Sequence, residues 1–245
     1  MGTAWNWGVF LQETPSGGAT YLGWLLTGLG WTVGLSLAAW AVALLLGTAL
    51  GVLRTVPGRL RPGLAAAYVE AFRNVPLLVQ LFAWYFVLPE LLPRAWGDAI
   101  KRSDPLLQQF LAAWLCLSLF TAARVCEQVR AGLGALPPGQ LQAALALGLT
   151  RFQAYRRVLL PMALRLVVPP LTSEFLNVFK NSAVASTIGL VELSRQSQQL
   201  VDYTAQAYEA FIAVTLLYLL VNVAVMLLMR RVEARARVPG FIGAR

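Results

Sequence analysis

From Tyr21 to Leu53 the chain carries no charged side chain. A helix over this run reaches about 45 Å at ~1.5 Å per residue, more than the roughly 30 Å hydrocarbon core of a bilayer. In lipid, every backbone N–H and C=O must be bonded within the segment, so a helix that tilts or protrudes is expected here. Composition agrees. Hydrophobic residues are 58% and charged residues 13%, and mean hydropathy is +0.64, whereas soluble domains carry about 25% charged residues. Such apolarity excludes disorder. Two cysteines and no histidine exclude a disulfide framework and His-based zinc or haem sites. Two small-xxx-small spacings, Gly30/Gly34 and Gly47/Gly51, offer close helix packing on this first span.

Four further apolar runs follow, over about residues 64–92, 106–126, 162–179 and 210–229. The expected fold is therefore an all-α membrane protein with about five transmembrane helices. Residues 1–20 are expected to be an exposed lead-in, without the basic start of a secretory signal. Residues 21–231 form one transmembrane domain, and 232–245 a tail. Residues 127–161 are too polar and interrupted to span. Pro169-Pro170 should kink the fourth span. Cys116 and Cys126 read as small apolar fillers. The glutamines at 196, 198 and 199 read as a solvated outer loop.

Basic residues set the orientation. Arg54, Arg59 and Arg61, then the arginines of 124–165, then those from Arg230 onward, fall on one side of a five-span layout. The other side has Arg94, Lys101, Arg102 and Arg195. The positive-inside rule then places the C-terminus in the cytoplasm and the N-terminus outside, in the periplasm of a bacterial inner membrane. The same distribution accounts for the net charge of +9 without nucleic acid as a partner.

Motifs for bond chemistry are absent. No G-x-x-x-x-G-K-[ST] occurs, and neither Lys101 nor Lys180 follows a glycine-rich loop. Without histidine there is neither an HExxH nor a Ser–His pair. No catalytic residue, metal ligand or resident cofactor is expected, and the chain is not expected to be an enzyme. An ion-coupled secondary transporter would fit a multi-span chain too, but no clear internal repeat is visible.

The informative segment is Leu141-Gln142-Ala143-Ala144-Leu145-Ala146-Leu147-Gly148, followed after nine residues by Val158-Leu159-Leu160-Pro161. Residues 142–147 are good helix formers. Gly148 breaks the first helical piece, and Arg151–Leu160 makes a second. A glycine there permits either a turn or a close approach by another backbone.

This segment resembles the E-A-A-x3-G-x9-I-x-L-P loop of membrane subunits of ATP-binding-cassette importers. Gln142 stands for the family's Glu and Val158 for its Ile. Residues 70–82, with Phe72-Arg73-Asn74-Val75-Pro76-Leu77-Leu78-Val79-Gln80, are similar to a stretch of the polar amino-acid importer permeases. Lys180-Asn181-Ser182, followed by Ser186-Thr187-Ile188-Gly189-Leu190, looks like another. Residues 84–93 resemble the glutamate/aspartate branch.

The resemblance implies a type I importer permease, coupled to an ATPase through Gln142, Ala143, Ala144, Gly148, Val158, Leu160 and Pro161. The implied partners are an ABC ATPase that uses the ATP and Mg, a second permease subunit, a periplasmic solute-binding protein and an amino acid. That amino acid is glutamate or aspartate, with Gln, Arg, His and cystine as alternatives.

The residues themselves suggest a solute path. Asn74-Val75-Pro76 should break the second span, and backbone freed inside a membrane protein must line a cavity or be buried. Arg73 either serves that path, snorkels, or pairs with Glu70. Pro76, Gln80, Lys180, Asn181 and Ser182 complete the candidates, with Lys180 alternatively an interfacial cation. Glu174 is either a contact for a cationic group or a buried structural acid with a partner.

Overall fold

A computed structural model describes residues 5–58 and 60–236. Residues 1–4 of the lead-in, Arg59, and the tail from Arg237 onward lie outside the described residues. Among those described, every regular element is helical, apart from one isolated bridge between Glu13 and Thr20.

A short 3-10 turn, Trp7–Leu11, precedes α1 (Tyr21–Leu53). Then come α2 (Leu60–Asn74), α3 (Leu77–Phe82), a π-helical turn (Ala83–Val87), α4 (Leu88–Leu91) and α5 (Arg94–Lys101). The long α6 (Pro105–Gly134) follows, then α7 (Gly139–Ala146), α8 (Arg151–Ala154), a second π turn (Tyr155–Leu159) and α9 (Leu160–Asn181). A 3-10 stretch (Ser182–Ile188), α10 (Leu193–Thr204) and α11 (Ala207–Ala236) complete the chain. Four helical stretches are long and apolar enough to cross a membrane: α1, α6, Arg151–Ile188 and α11.

The second expected span is broken. Its two parts, Leu60–Asn74 and Leu77–Leu91, are bent by 103° about Val75-Pro76. Pro76 cannot donate a backbone bond, and its ring pushes Val75 out of the helical region. Counted as one span, the pair makes five. Both π turns lie just before a proline, Pro89 and Pro161. In each, the residue before the proline donates five back: Leu88 to Ala83 O and Leu160 to Tyr155 O. The wider turn accommodates a ring that would meet a carbonyl in a regular helix.

Two expected boundaries move. The third span was expected to end at Cys126, but α6 runs on to Gly134. The glutamine run expected as a solvated loop is part of α10, with Gln196 and Ser197 buried and Gln198 exposed. Composition was misleading because only one face of this amphipathic helix is wet.

Contacts group the chain into two compact units. The first comprises residues up to Ala39, Pro76–Leu117 and Asn177–Ala224; the second comprises Trp40–Val75, Ser118–Leu176 and the chain from Val225. In the first, Val9, Tyr21, Leu25, Leu193, Leu200, Ala210 and Val214 form a core. Gly28 lies against α10, where a Cβ would come within 2.7 Å of Gln196 Cγ and 3.0 Å of Leu193 Cα. In the second, Val125, Val129 and Leu133 of α6 pack with Leu159, Ala163, Val167 and Leu171. Gly47 and Gly51 bring α1 onto α6, because a Cβ would stand 2.6 Å from Val125 Cβ and 2.7 Å from Val129 Cβ respectively. Gly30 and Gly34 meet nothing within 4 Å among the described residues, so there only the Gly47/Gly51 pair serves packing. Cys116 and Cys126 are buried and unbridged.

Candidate coupling elbow and solute-path residues

The segment 139–161 is a defined elbow. Gly148 has φ +82°. Its N–H donates to Leu145 O at 3.0 Å, and the Leu149 N–H donates to Ala144 O at 3.2 Å. These two bonds close α7 as a Schellman motif, with Gly148 as the left-handed residue. Among the described residues, and apart from its own chain neighbours, nothing lies within 4 Å of where its Cβ would be. Among the described residues, then, the glycine is required for its backbone conformation and not for tight packing.

Two residues later Thr150 caps α8. Its hydroxyl accepts from Gln153 N at 3.3 Å, and Gln153 Oε1 accepts from Thr150 N at 2.9 Å, a reciprocal capping box. A helix stop and a helix start therefore adjoin with their end groups satisfied, which leaves little freedom between them.

One face of the elbow is anchored. Ala144 and Ala154 are buried, and Leu141, Tyr155 and Leu160 pack on the α6–α9 core. Tyr155 OH donates to Thr55 O, just beyond α1, at 3.0 Å. These contacts tie the elbow to α6 and α9 and, through Thr55, to the end of α1. The other face is open. Leu147 is 84% and Phe152 72% exposed, with Leu145 beside them, and Gln142, Ala143, Arg151, Arg156 and Arg157 are exposed as well. Of the expected coupling residues, Gln142, Ala143, Gly148 and Pro161 are exposed, Ala144 is buried, and Val158 and Leu160 are half-buried. Leu147 and Phe152 were missed by sequence reasoning. The signal was available: large apolar residues flank a break in a polar segment.

The expected path residues occur in both units. Arg73 and Asn74 are exposed at the end of α2 in the second. Glu174, also in the second, is buried and accepts from Arg124 Nε at 2.6 Å, and the Arg124 guanidinium lies over the Phe120 ring at 5.9 Å. Arg124 was not singled out from sequence, because i,i+3 and i,i+4 rules do not reach between helices.

In the first unit, Asn181 lines a small apolar pocket with Leu77 and Leu81 of α3, Cys116 and Leu117 of α6, and Val184 and Ala185. Gln80 is buried. Lys180 is exposed, whereas the buried Ser182 hydroxyl donates to Phe179 O at 2.8 Å. Pro76 forms the break itself.

A second buried centre in the first unit had no sequence signal. Glu192 caps α10, accepting from Ser194 N at 3.0 Å and Arg195 N at 2.9 Å. Tyr218 OH donates to it at 2.9 Å and Thr32 Oγ1 at 3.3 Å. Burial raises its carboxyl pKa above the ordinary value, against the opposing pull of these bonds.

The profile of binding-protein-dependent transport system inner membrane components matches residues 43–238. The glutamate/aspartate import permease protein GltJ of Escherichia coli K12 is 56% identical over 246 residues, covering 100% of both chains. The glutamine transport system permease protein GlnP of the same strain is 32% identical over 214 residues, covering 87% of this chain and 93% of the relative. Among solved structures, the crystal structure of an amino acid ABC transporter with histidines aligns with TM-score 0.74 and 30% identity. That alignment covers 88% of this chain and 95% of that one.

Proposed function

This chain belongs to the family of binding-protein-dependent transport system inner membrane components, and on that premise we propose that it imports L-glutamate and L-aspartate. It is a multi-pass permease subunit of an ABC amino-acid importer, a transporter component and not an enzyme. The observation carrying the substrate is the 56% identity over the whole of both chains to a glutamate/aspartate permease, against 32% to a glutamine permease.

In this reading the elbow at Gly148 docks on a cytoplasmic ATPase. Leu147 and Phe152 enter an apolar groove, and Arg151, Arg156 and Arg157 face carboxylates at its rim. The capped, anchored elbow moves as one piece and carries the motion into α1, α6 and α9. ATP and Mg belong to the ATPase, and a binding protein delivers the amino acid from the periplasmic side, where the N-terminus lies. A second permease subunit completes the path. Arg73, Asn74, Lys180 and Asn181 supply cationic and amide donors suited to carboxylates, with Pro76, Gln80 and Ser182 shaping the broken segments. The pairing with Arg124 supports a structural role for Glu174.

The test is uptake of labelled glutamate into proteoliposomes holding the chain with its partner permease and ATPase, ATP inside and binding protein outside. ATP-dependent uptake blocked by aspartate, and not by glutamine or arginine, is expected. Block by glutamine or arginine would move the substrate. Uptake driven by an ion gradient without ATP would overturn the class.

A further inference from the structure

The N-terminal lead-in is not a free tail among the described residues. Val9 is buried in the core with Tyr21, Leu25, Ala210 and Val214. The Asn6 N–H donates to the buried carboxylate of Glu209 at 2.7 Å, tying the segment to the first turn of α11. Its other end is closed by Thr14 N to Ala19 O at 2.9 Å and Tyr21 N to Gln12 O at 3.2 Å. The segment is thereby held across the starts of α1 and α11.

Its outward face is aromatic. Trp5 and Trp7 stack with centroids 5.7 Å apart and planes 8° apart, and Trp5 meets Tyr208 edge-on at 6.2 Å. All three rings are exposed, and Leu11 is 74% exposed. Half-buried Trp24 of α1 meets the exposed Tyr203 at 5.8 Å. Residues 1–20 contain no Lys or Arg and a single acid, Glu13.

Burying one face while displaying rings and Leu11 on the other would be costly against water, at about 25 cal/mol per Å2 of apolar surface. Rings with an apolar body and a polar N–H or O–H fit the headgroup layer, where Trp and Tyr collect. Two spans begin beside this patch, which makes the bilayer boundary its immediate neighbour. A protein partner recognised by charge finds almost none here.

We propose that Trp5–Leu11 is an interfacial anchor that lays Trp5, Trp7 and Leu11, with Tyr208, into the phospholipid headgroup layer at the starts of α1 and α11. The anchor fixes the depth of these two helix starts in the bilayer. It depends on the chain being a multi-pass membrane protein and not on which amino acid is carried. Without cationic residues, it is indifferent to anionic lipid.

The test places a nitroxide at Trp7→Cys, and separately at Leu11→Cys, with Cys116 and Cys126 replaced by Ala. The full chain is assembled with its partner subunits in phosphatidylcholine vesicles, with and without phosphatidylglycerol. Both labels are expected to be relaxed more by oxygen than by a water-soluble nickel complex, unchanged by phosphatidylglycerol. Aqueous accessibility at both sites would overturn the anchor, as would protection of both labels only when the binding protein is added, which would make the patch a protein-docking surface. Because both side chains are exposed, folding is expected to survive either change, and glutamate uptake by the labelled proteins reports it separately.

Discussion

Replacing Gly148 separates two roles that a glycine in a docking loop can have. Its φ of +82° lies where an L residue pays about 1–2 kcal/mol. Nothing among the described residues lies within 4 Å of its Cβ position, so Ala adds no clash with them and the cost is backbone strain. That strain would be relieved by giving up the Schellman bonds of Gly148 to Leu145 and Leu149 to Ala144. A cost of this size shifts the folded elbow relative to an open one by about 5–30-fold. It leaves the α6–α9 core untouched, so Gly148→Ala should insert normally and lose ATP-driven uptake in similar proportion. Asn enters the left-handed region more readily than Ala. Gly148→Asn should therefore recover transport if conformation is the requirement, despite its larger side chain. The assay is uptake and permease-stimulated ATPase activity at matched membrane levels, with proteolysis between α7 and α8 as the measure of elbow opening. Wild-type transport by Gly148→Ala would refute the elbow as a coupling device. An Asn variant worse than Ala would mean that a partner backbone approaches this glycine closely.

Three further outcomes follow from the packing. Gly47→Ala should lower thermal stability in detergent by about 1–3 kcal/mol, since its Cβ meets Val125 and a backbone carbonyl that cannot yield; Gly30→Ala should be neutral in the same melt unless a second subunit packs there. Arg124→Gln and Glu174→Gln should each destabilise the chain more than the double change does, with a coupling of about 1 kcal/mol or more in a double-mutant cycle, and additive losses would dismiss the pair. Glu192 has its carboxyl pKa raised by burial, so the folded state favours the protonated form. Its stabilising contribution is complete below the unfolded pKa and is lost as pH rises through the folded value. Thermal melts should weaken with rising pH over that window, and Glu192→Gln should flatten the trend.

Much of the architecture was legible because lipid allows few solutions. An uncharged run as long as Tyr21–Leu53 must be helical, and Asn74-Val75-Pro76 was legible as a break, which is where the second span bends. Gly148 was legible as a break, with Gln142–Leu147 as a short helix before it. The alternatives left open at Gly148, a turn or a close approach, were separated within the chain by its φ and by the empty space around it. The 196–199 run was misjudged for a physical reason. Polar residues imply water only when they do not lie on the buried face of a helix, and Gln196 and Ser197 do.

By itself the sequence determined the helical class, the break at Pro76 and the place of the elbow at Gly148, because these follow from local backbone chemistry and from the absence of water in a bilayer. Only the tertiary structure decided which glycines pack, that Arg124 holds Glu174, and that Thr32, Glu192 and Tyr218 meet in one buried cluster. The side-chain pairings Tyr218–Glu192, Arg124–Glu174 and Thr32–Glu192 join residues 26, 50 and 160 positions apart, and no local periodicity encodes which face of one helix will meet which face of another.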